Sequence, residues 1–185
     1  MDILATGLKQ FFQEQKPKER ELGRFYASEL YSLMTNRLTP DEWWHGQKID
    51  AQGRRNIYRG IKRELEVEEL LKLSGRKIET QIKKEYKIDD ITIVSKIDFI
   101  IDGSYIAECK SSKPLPTEIK PSAFYQAEAY YRTFNLPVYF IYYLDPDSYK
   151  FFKYIPDDKR FEDILEKVVA FHKLIKEKNY VKDNS

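Results

Sequence analysis

Asp98 and, ten residues later, Glu108-Cys109-Lys110 stand on two strand-like segments joined by a short turn. Two carboxylates and an amine at one place can hold a hard divalent cation, a water and a phosphate. Mg²⁺ and Mn²⁺ take oxygen ligands and commonly bind through one or two carboxylates plus phosphate. Such an ion lowers the pKa of a bound water and offsets charge growing on the phosphate. A lysine beside it would orient the water or stabilise the transition state. Gln126 and Tyr130 follow at i and i+4, on one face of a helix. There an amide and a hydroxyl could hold the water or a DNA phosphate. The same residues also fit a plainer reading, a cross-strand charge cluster and a half-buried tyrosine on an amphipathic helix.

The elements that must position these groups are legible. Residues 91–101 are rich in β-branched side chains and read as a strand. Asp102-Gly103-Ser104 is a turn signal, and residues 105–110 read as the returning strand. A three-residue loop sets Ile101 against Tyr105 and Asp98 against Glu108 on one face, with Cβ atoms about 5 Å apart. Lys110, two residues beyond Glu108, shares that face. A two-residue loop would shift the register by one and separate the carboxylates. Pro121 suits the first turn of a helix running to Phe134.

Asp, then Glu-x-Lys, then Gln-x-x-x-Tyr, in this order and spacing, resembles the RecB-like branch of the PD-(D/E)XK nuclease superfamily. The matching stretches are Ser95–Gly103, Ile106–Ser112 and Tyr125–Tyr131. The similarity covers residues 55–145 or so, and extends more weakly from Arg24. It includes the CRISPR-associated RecB-like exonucleases. The resemblance implies an α/β restriction-endonuclease-like core, a mixed central sheet flanked by helices in an α/β/α sandwich, with extra N-terminal helices. It further implies Mg²⁺- or Mn²⁺-dependent cleavage of DNA. Asp98 and Glu108 would be metal ligands, Lys110 the catalytic lysine, and Gln126 and Tyr130 would complete the site.

Two departures matter. The family carries a Gly followed four residues later by a metal-binding His on its first core helix. Here Gly60 is followed by Glu64, a carboxylate that suits Mg²⁺ as a third ligand and equally suits a solvent-facing position. The CRISPR-associated members usually hold an iron–sulfur cluster on four cysteines, whereas this chain has Cys109 alone. One thiol cannot hold such a cluster, so none is expected. Cys109 is expected on the opposite face from Glu108 and Lys110, as a buried and unreactive thiol.

The remaining sequence sets bounds. At 185 residues, 42% hydrophobic and 34% charged, the chain fits one globular nuclease domain over 1–185: an N-terminal helical part over 1–50, a core over 54–178 and a frayed tail from 179. A lone cysteine and an N-terminus without a signal-peptide pattern suggest the cytoplasm, and no apolar run approaches the ~20 residues that span a bilayer. The net charge of +2 gives no global basic field, so local clusters count: Arg59 and Arg63, then Lys113 and Lys120, as phosphate contacts, with Tyr125 as a base-stacking candidate. Helices are expected at 3–16, 20–36, 54–74, 121–134 and 159–178. Strands are expected at 77–87, 91–101, 105–111, 138–144 and 149–155. Thr39–Gly46 reads as a loop or turn carrying two tryptophans, for the core or a partner.

The resemblance implies a DNase, and by analogy with such relatives one acting on single-stranded DNA or DNA ends. The alternative is a catalytically inactive nuclease-fold module that binds nucleic acid or a DNA-processing partner. Candidate partners are CRISPR or recombination proteins, or a helicase, which would be a separate chain since no Gly-rich phosphate loop is present.

Overall fold

A computed structural model describes residues 20–46 and 49–178. The helix expected over 3–16 and the tail from 179 lie outside them. The elements are β1 (Arg24–Tyr26), a 3₁₀ turn (Ala27–Glu29), α1 (Leu30–Met34), α2 (Pro40–His45), α3 (Ala51–Leu73), β2 (Ile78–Ile88), β3 (Ile91–Ile101), β4 (Tyr105–Ser111), α4 (Pro121–Phe134), β5 (Val138–Asp145), β6 (Ser148–Lys153) and α5 (Asp158–Glu177).

The fold is the expected α/β/α arrangement around a six-stranded mixed sheet. The order is β1-β3-β4-β5-β6, with β2 paired antiparallel along β3. One face of the sheet is buried under α1, α4 and α5, in a core that includes Phe25, Ile93, Ile97, Ile106, Phe140 and Ile164. The other face packs on α3 through Val67, with Phe99, Ile101, Ala107, Ile141 and Tyr143. Both sides of β5 are therefore covered, as its continuous apolar run requires.

Two expectations are corrected. Residues 20–36 are not one helix. Gly23 adopts φ +82°, where a side chain is disfavoured, and a Cβ there would meet the Asp90 carbonyl oxygen at 2.3 Å. The chain is turned at Gly23 into β1, which pairs parallel with Thr92–Val94 and buries Phe25 completely. Only Leu30–Met34 is α-helical. The Thr39 segment is a helix rather than a loop: the Thr39 hydroxyl accepts from the Glu42 N–H at 3.2 Å, and the Glu42 carboxylate accepts from the Thr39 N–H at 2.9 Å. This reciprocal cap stabilises a helix start. Trp43 on it is fully buried, 5.3 Å from the Phe25 ring, and is a core anchor.

The sheet edge and the last helix are tied together by Glu128 on α4, which is 0% exposed. Its carboxylate accepts from Arg132 Nε at 2.8 Å, from the Asp157 N–H at 3.0 Å and from the Tyr154 hydroxyl. Removing it would strand these donors in the interior. Glu128→Ala is therefore expected to destabilise the fold by about 3 kcal/mol, read from the midpoint of a urea denaturation curve.

Candidate active site

The turn after β3 has three residues, with Asp102 and Gly103 both left-handed at φ +51° and +64°, and Ile101 pairs with Tyr105. The β3–β4 ladder then runs only to Phe99 and Ala107. Beyond that pair β4 leaves β3, and β1 takes the same edge farther along at Thr92–Val94. The result is a fork in the sheet with Asp98 and Glu108 at its base. There Asp98 Oδ2 accepts from the Cys109 N–H at 2.8 Å. A carboxylate substitutes for the next rung of the ladder.

Glu108 is buried at 3% exposure, and its two oxygens differ. Oε1 accepts from Lys110 Nζ at 2.8 Å, from Gln126 Nε2 at 3.1 Å and lies 3.4 Å from the Tyr130 hydroxyl. Lys110 Nζ also donates to Gln126 Oε1 at 2.7 Å. Gln126 Nε2 donates to the Tyr130 oxygen at 2.5 Å, and the Tyr130 hydroxyl donates to the Lys96 carbonyl at 2.7 Å. Gln126 is thus used at both ends. Glu108 Oε2 is buried without a hydrogen-bond partner, which is costly for a carboxylate oxygen.

The electrostatics follow from this crowding. Burial, then the charges of Glu108 and Glu64, push Asp98 well above the usual carboxylate range. Burial raises Glu64 as well, with Glu108 adding to it. Burial pulls the Lys110 ammonium down, but Glu108 and Asp98 outweigh it and hold Lys110 above its ordinary value. Burial and the same two carboxylates raise Tyr130, which stays protonated. Cys109 packs with the α3-side core and is pushed up to about 12 by burial, so its thiol is unreactive.

Glu64 reaches the fork from α3, and its carboxylate accepts from the Gln81 amide on β2. Among the described residues no three carboxylate, histidine or cysteine side chains stand together as a metal-holding group. The donor chemistry nonetheless fits a hard cation at the acidic pair: oxygen atoms only, one of them buried and unpartnered, with adjacent negative charge. Gln81 was not apparent from the sequence. Its only signal is a polar residue inside a strand pattern.

Arg59, Arg63, Lys113 and Lys120 come together with Asn56, Ser111 and Ser112 around a cavity of about 530 Å³. Ser111 and Ser112 directly follow Lys110, so the cavity adjoins the fork. Lys120 Nζ donates to Ser112 Oγ at 2.6 Å, and its backbone N–H donates to the Tyr142 hydroxyl at 3.1 Å. Tyr125 is not a lining residue. It is half-buried with its ring 6.3 Å from Tyr31. Lys84 lies over the Phe134 ring, and Lys83 and Lys87 pair with Glu85, so the β2 lysines belong to the sheet surface.

No family model matches the chain, and no curated protein matches it in sequence. Solved structures do share its fold. SSO0001 superposes with a TM-score of 0.72 at 17% identity, over 92% of this chain and 86% of that one. An alkaline exonuclease from Laribacter hongkongensis superposes with a TM-score of 0.64 at 18% identity, over 95% of this chain and 96% of that one. The structure of that exonuclease with dAMP gives 0.64 and 18%, over 88% and 93%. At such identities the likeness is one of fold. No helix among the described residues is long and apolar enough to cross a membrane.

The raised Asp98 has a consequence for stability. A carboxyl group whose folded pKa lies above its unfolded value contributes most when protonated, and that contribution is lost as pH rises through the folded pKa. In EDTA, Asp98→Asn is therefore expected to melt above the wild type at neutral pH, since its amide oxygen can still accept from Cys109. The gap should close as pH falls toward about 4, the unfolded carboxyl value. Differential scanning calorimetry across that range measures it.

Proposed function

We propose that this chain is a divalent-cation-dependent deoxyribonuclease of the RecB-like type, hydrolysing phosphodiester bonds in single-stranded DNA or at DNA ends. One observation carries the reading: Lys110 and Gln126 both donate to Glu108 Oε1, with Tyr130 bracing Gln126, while Oε2 is left buried and unpartnered. A carboxylate held in this way is oriented to offer one oxygen to a cation. Asp98 and Glu108 would hold Mg²⁺ or Mn²⁺, with Glu64 as a third ligand on its loading. The ion would supply a water of lowered pKa and charge neutralisation at the phosphate. No iron–sulfur cluster takes part in this reading.

The chain's own groups have distinct tasks. Lys110 is charged, fixed between Glu108 and Gln126, and has donor capacity left for a phosphate oxygen on which charge develops. Gln126 keeps Lys110 and Glu108 in register. Tyr130, protonated and anchored on the Lys96 carbonyl, keeps Gln126 in place. Arg59, Arg63, Lys113 and Lys120 would take the neighbouring phosphates of the strand in their cavity. The exonuclease of like fold has been solved with dAMP, and this cavity offers cations for the phosphate of such a unit. Tyr125 would stack on a base only where the strand passes the Tyr31 side. A helicase or CRISPR or recombination proteins remain the expected class of partner, and the cytoplasm the expected compartment.

Purified protein with Mn²⁺ or Mg²⁺ is expected to degrade labelled linear single-stranded DNA, and EDTA to stop it. Lys110→Ala should lower kcat by about 100- to 1,000-fold with an unchanged circular dichroism spectrum. Wild-type protein that cleaves no form of DNA or RNA with either ion would establish the inactive binding module instead. Arg59→Ala should raise KM, leave kcat near the wild-type value and reduce the slope of log affinity against log salt by about one, measured by fluorescence anisotropy with a labelled oligonucleotide.

A further inference from the structure

The β2–β3 ladder is continuous from Ile78 to Ile88 except at one place, where Gln81 and Asp98 drop out between Thr80↔Phe99 and Ile82↔Ile97. At that place Gln81 has φ +54°. A residue with a Cβ rarely takes the left-handed region, least of all within a strand, and such conformations persist where the surroundings hold them. The distortion re-aims the side chain. Gln81 is exposed, yet its amide is not left to water: Nε2 donates to Glu64 Oε1 across the gap to α3. One oxygen of Glu64 is thereby fixed on β2, at the strand position opposite Asp98, while the Glu64 charge acts on Asp98 and the Glu108 charge acts on Glu64. Glu64 arises from a different layer of the fold than Asp98 and Glu108, and among the described residues its carboxylate is held by the Gln81 amide.

We propose that Gln81 is a positioning residue for cation binding: its amide holds one oxygen of Glu64 so that the other is turned toward the Asp98–Glu108 pair. This rests on the reading of those carboxylates as the cation site. A carboxylate on a helix side chain has three rotors, and fixing one oxygen removes most of the freedom that would otherwise be lost on binding. Partners of this kind commonly change metal affinity by about 10- to 100-fold. The left-handed backbone at Gln81 is the means of delivery, because an ordinary strand residue opposite Asp98 would aim its side chain along the alternation of the pleat.

The test uses Mn²⁺ binding to the full chain without DNA, by isothermal titration calorimetry, with melting temperature measured alongside. Gln81→Gly relieves the backbone and deletes the amide. It is expected to melt at or above the wild-type temperature while its Mn²⁺ dissociation constant rises by about 10-fold, a split that a purely structural role would not produce. Gln81→Asn tolerates the left-handed conformation but is one methylene short, and should weaken binding similarly. Glu64→Ala should weaken binding too, and adding Gln81→Gly to it should cost nothing more, since both changes remove one interaction. If Glu64→Ala weakens Mn²⁺ binding while Gln81→Gly binds as the wild type does, or if the two effects add in full, Gln81 has no such role. If the wild type itself binds no Mn²⁺, the cation site fails, and this inference with it.

Discussion

Negative charge gathered in a partly dry fork is the constraint on which the site depends. Asp98, Glu108 and Glu64 come from β3, β4 and α3; the charge of Glu108 opposes the charging of both others, and that of Glu64 opposes the charging of Asp98. The protein does not neutralise them with one another. It gives each a separate donor: a backbone N–H for Asp98, a Lys–Gln–Tyr network for Glu108 and an amide for Glu64. The donors address one side of each carboxylate where both oxygens can be followed, as at Glu108. Such an arrangement is poor for stability and well suited to a positive guest.

The architecture around the fork keeps it open. If β4 followed β3 to its end, the sheet would close and Asp98 would be one more cross-strand residue. Instead β1 takes the far half of the β3 edge, turned into place at Gly23. Side chains of both layers then meet at the gap, Glu64 from one and Gln126 with Tyr130 from the other. The basic cavity continues from Ser111 and Ser112, so the step from negative to positive potential occurs within a few residues of one strand. Under the proposed function, a strand of nucleic acid would meet cations along its backbone and an acidic pair at one bond. The stability surrendered at the fork is offset elsewhere by an aromatic core around Phe25, Trp43 and Phe171 and by the satisfied buried Glu128.

Much of the site could be read from residue types and periods. The Asp-Gly turn set the register, alternation put Glu108 and Lys110 on one face, and i,i+4 spacing paired Gln126 with Tyr130. The helix Pro121–Phe134 and the strand Ile91–Ile101 have the bounds their patterns suggested. Gathering Arg59, Arg63, Lys113 and Lys120 as phosphate contacts needed only charge and proximity to the motifs, and they do share one cavity. The segment after Arg20 misled because its apolar spacing suits a helix, while the strand it forms is selected by an edge of β3 some seventy residues away. Tyr125 lies beside the Tyr31 ring, a contact with a distant helix for which its own segment carries no local signal.

Local chemistry, then, determined which groups could act and which neighbours shared a face, since turn geometry and side-chain period are properties of a few consecutive residues. Where the strands part, which oxygen of Glu108 is left bare, and that Gln81 would turn left-handed to meet Glu64 were decided by tertiary structure alone. These depend on competition between distant segments for the same strand edge and the same buried donors, and no short stretch of sequence contains that competition.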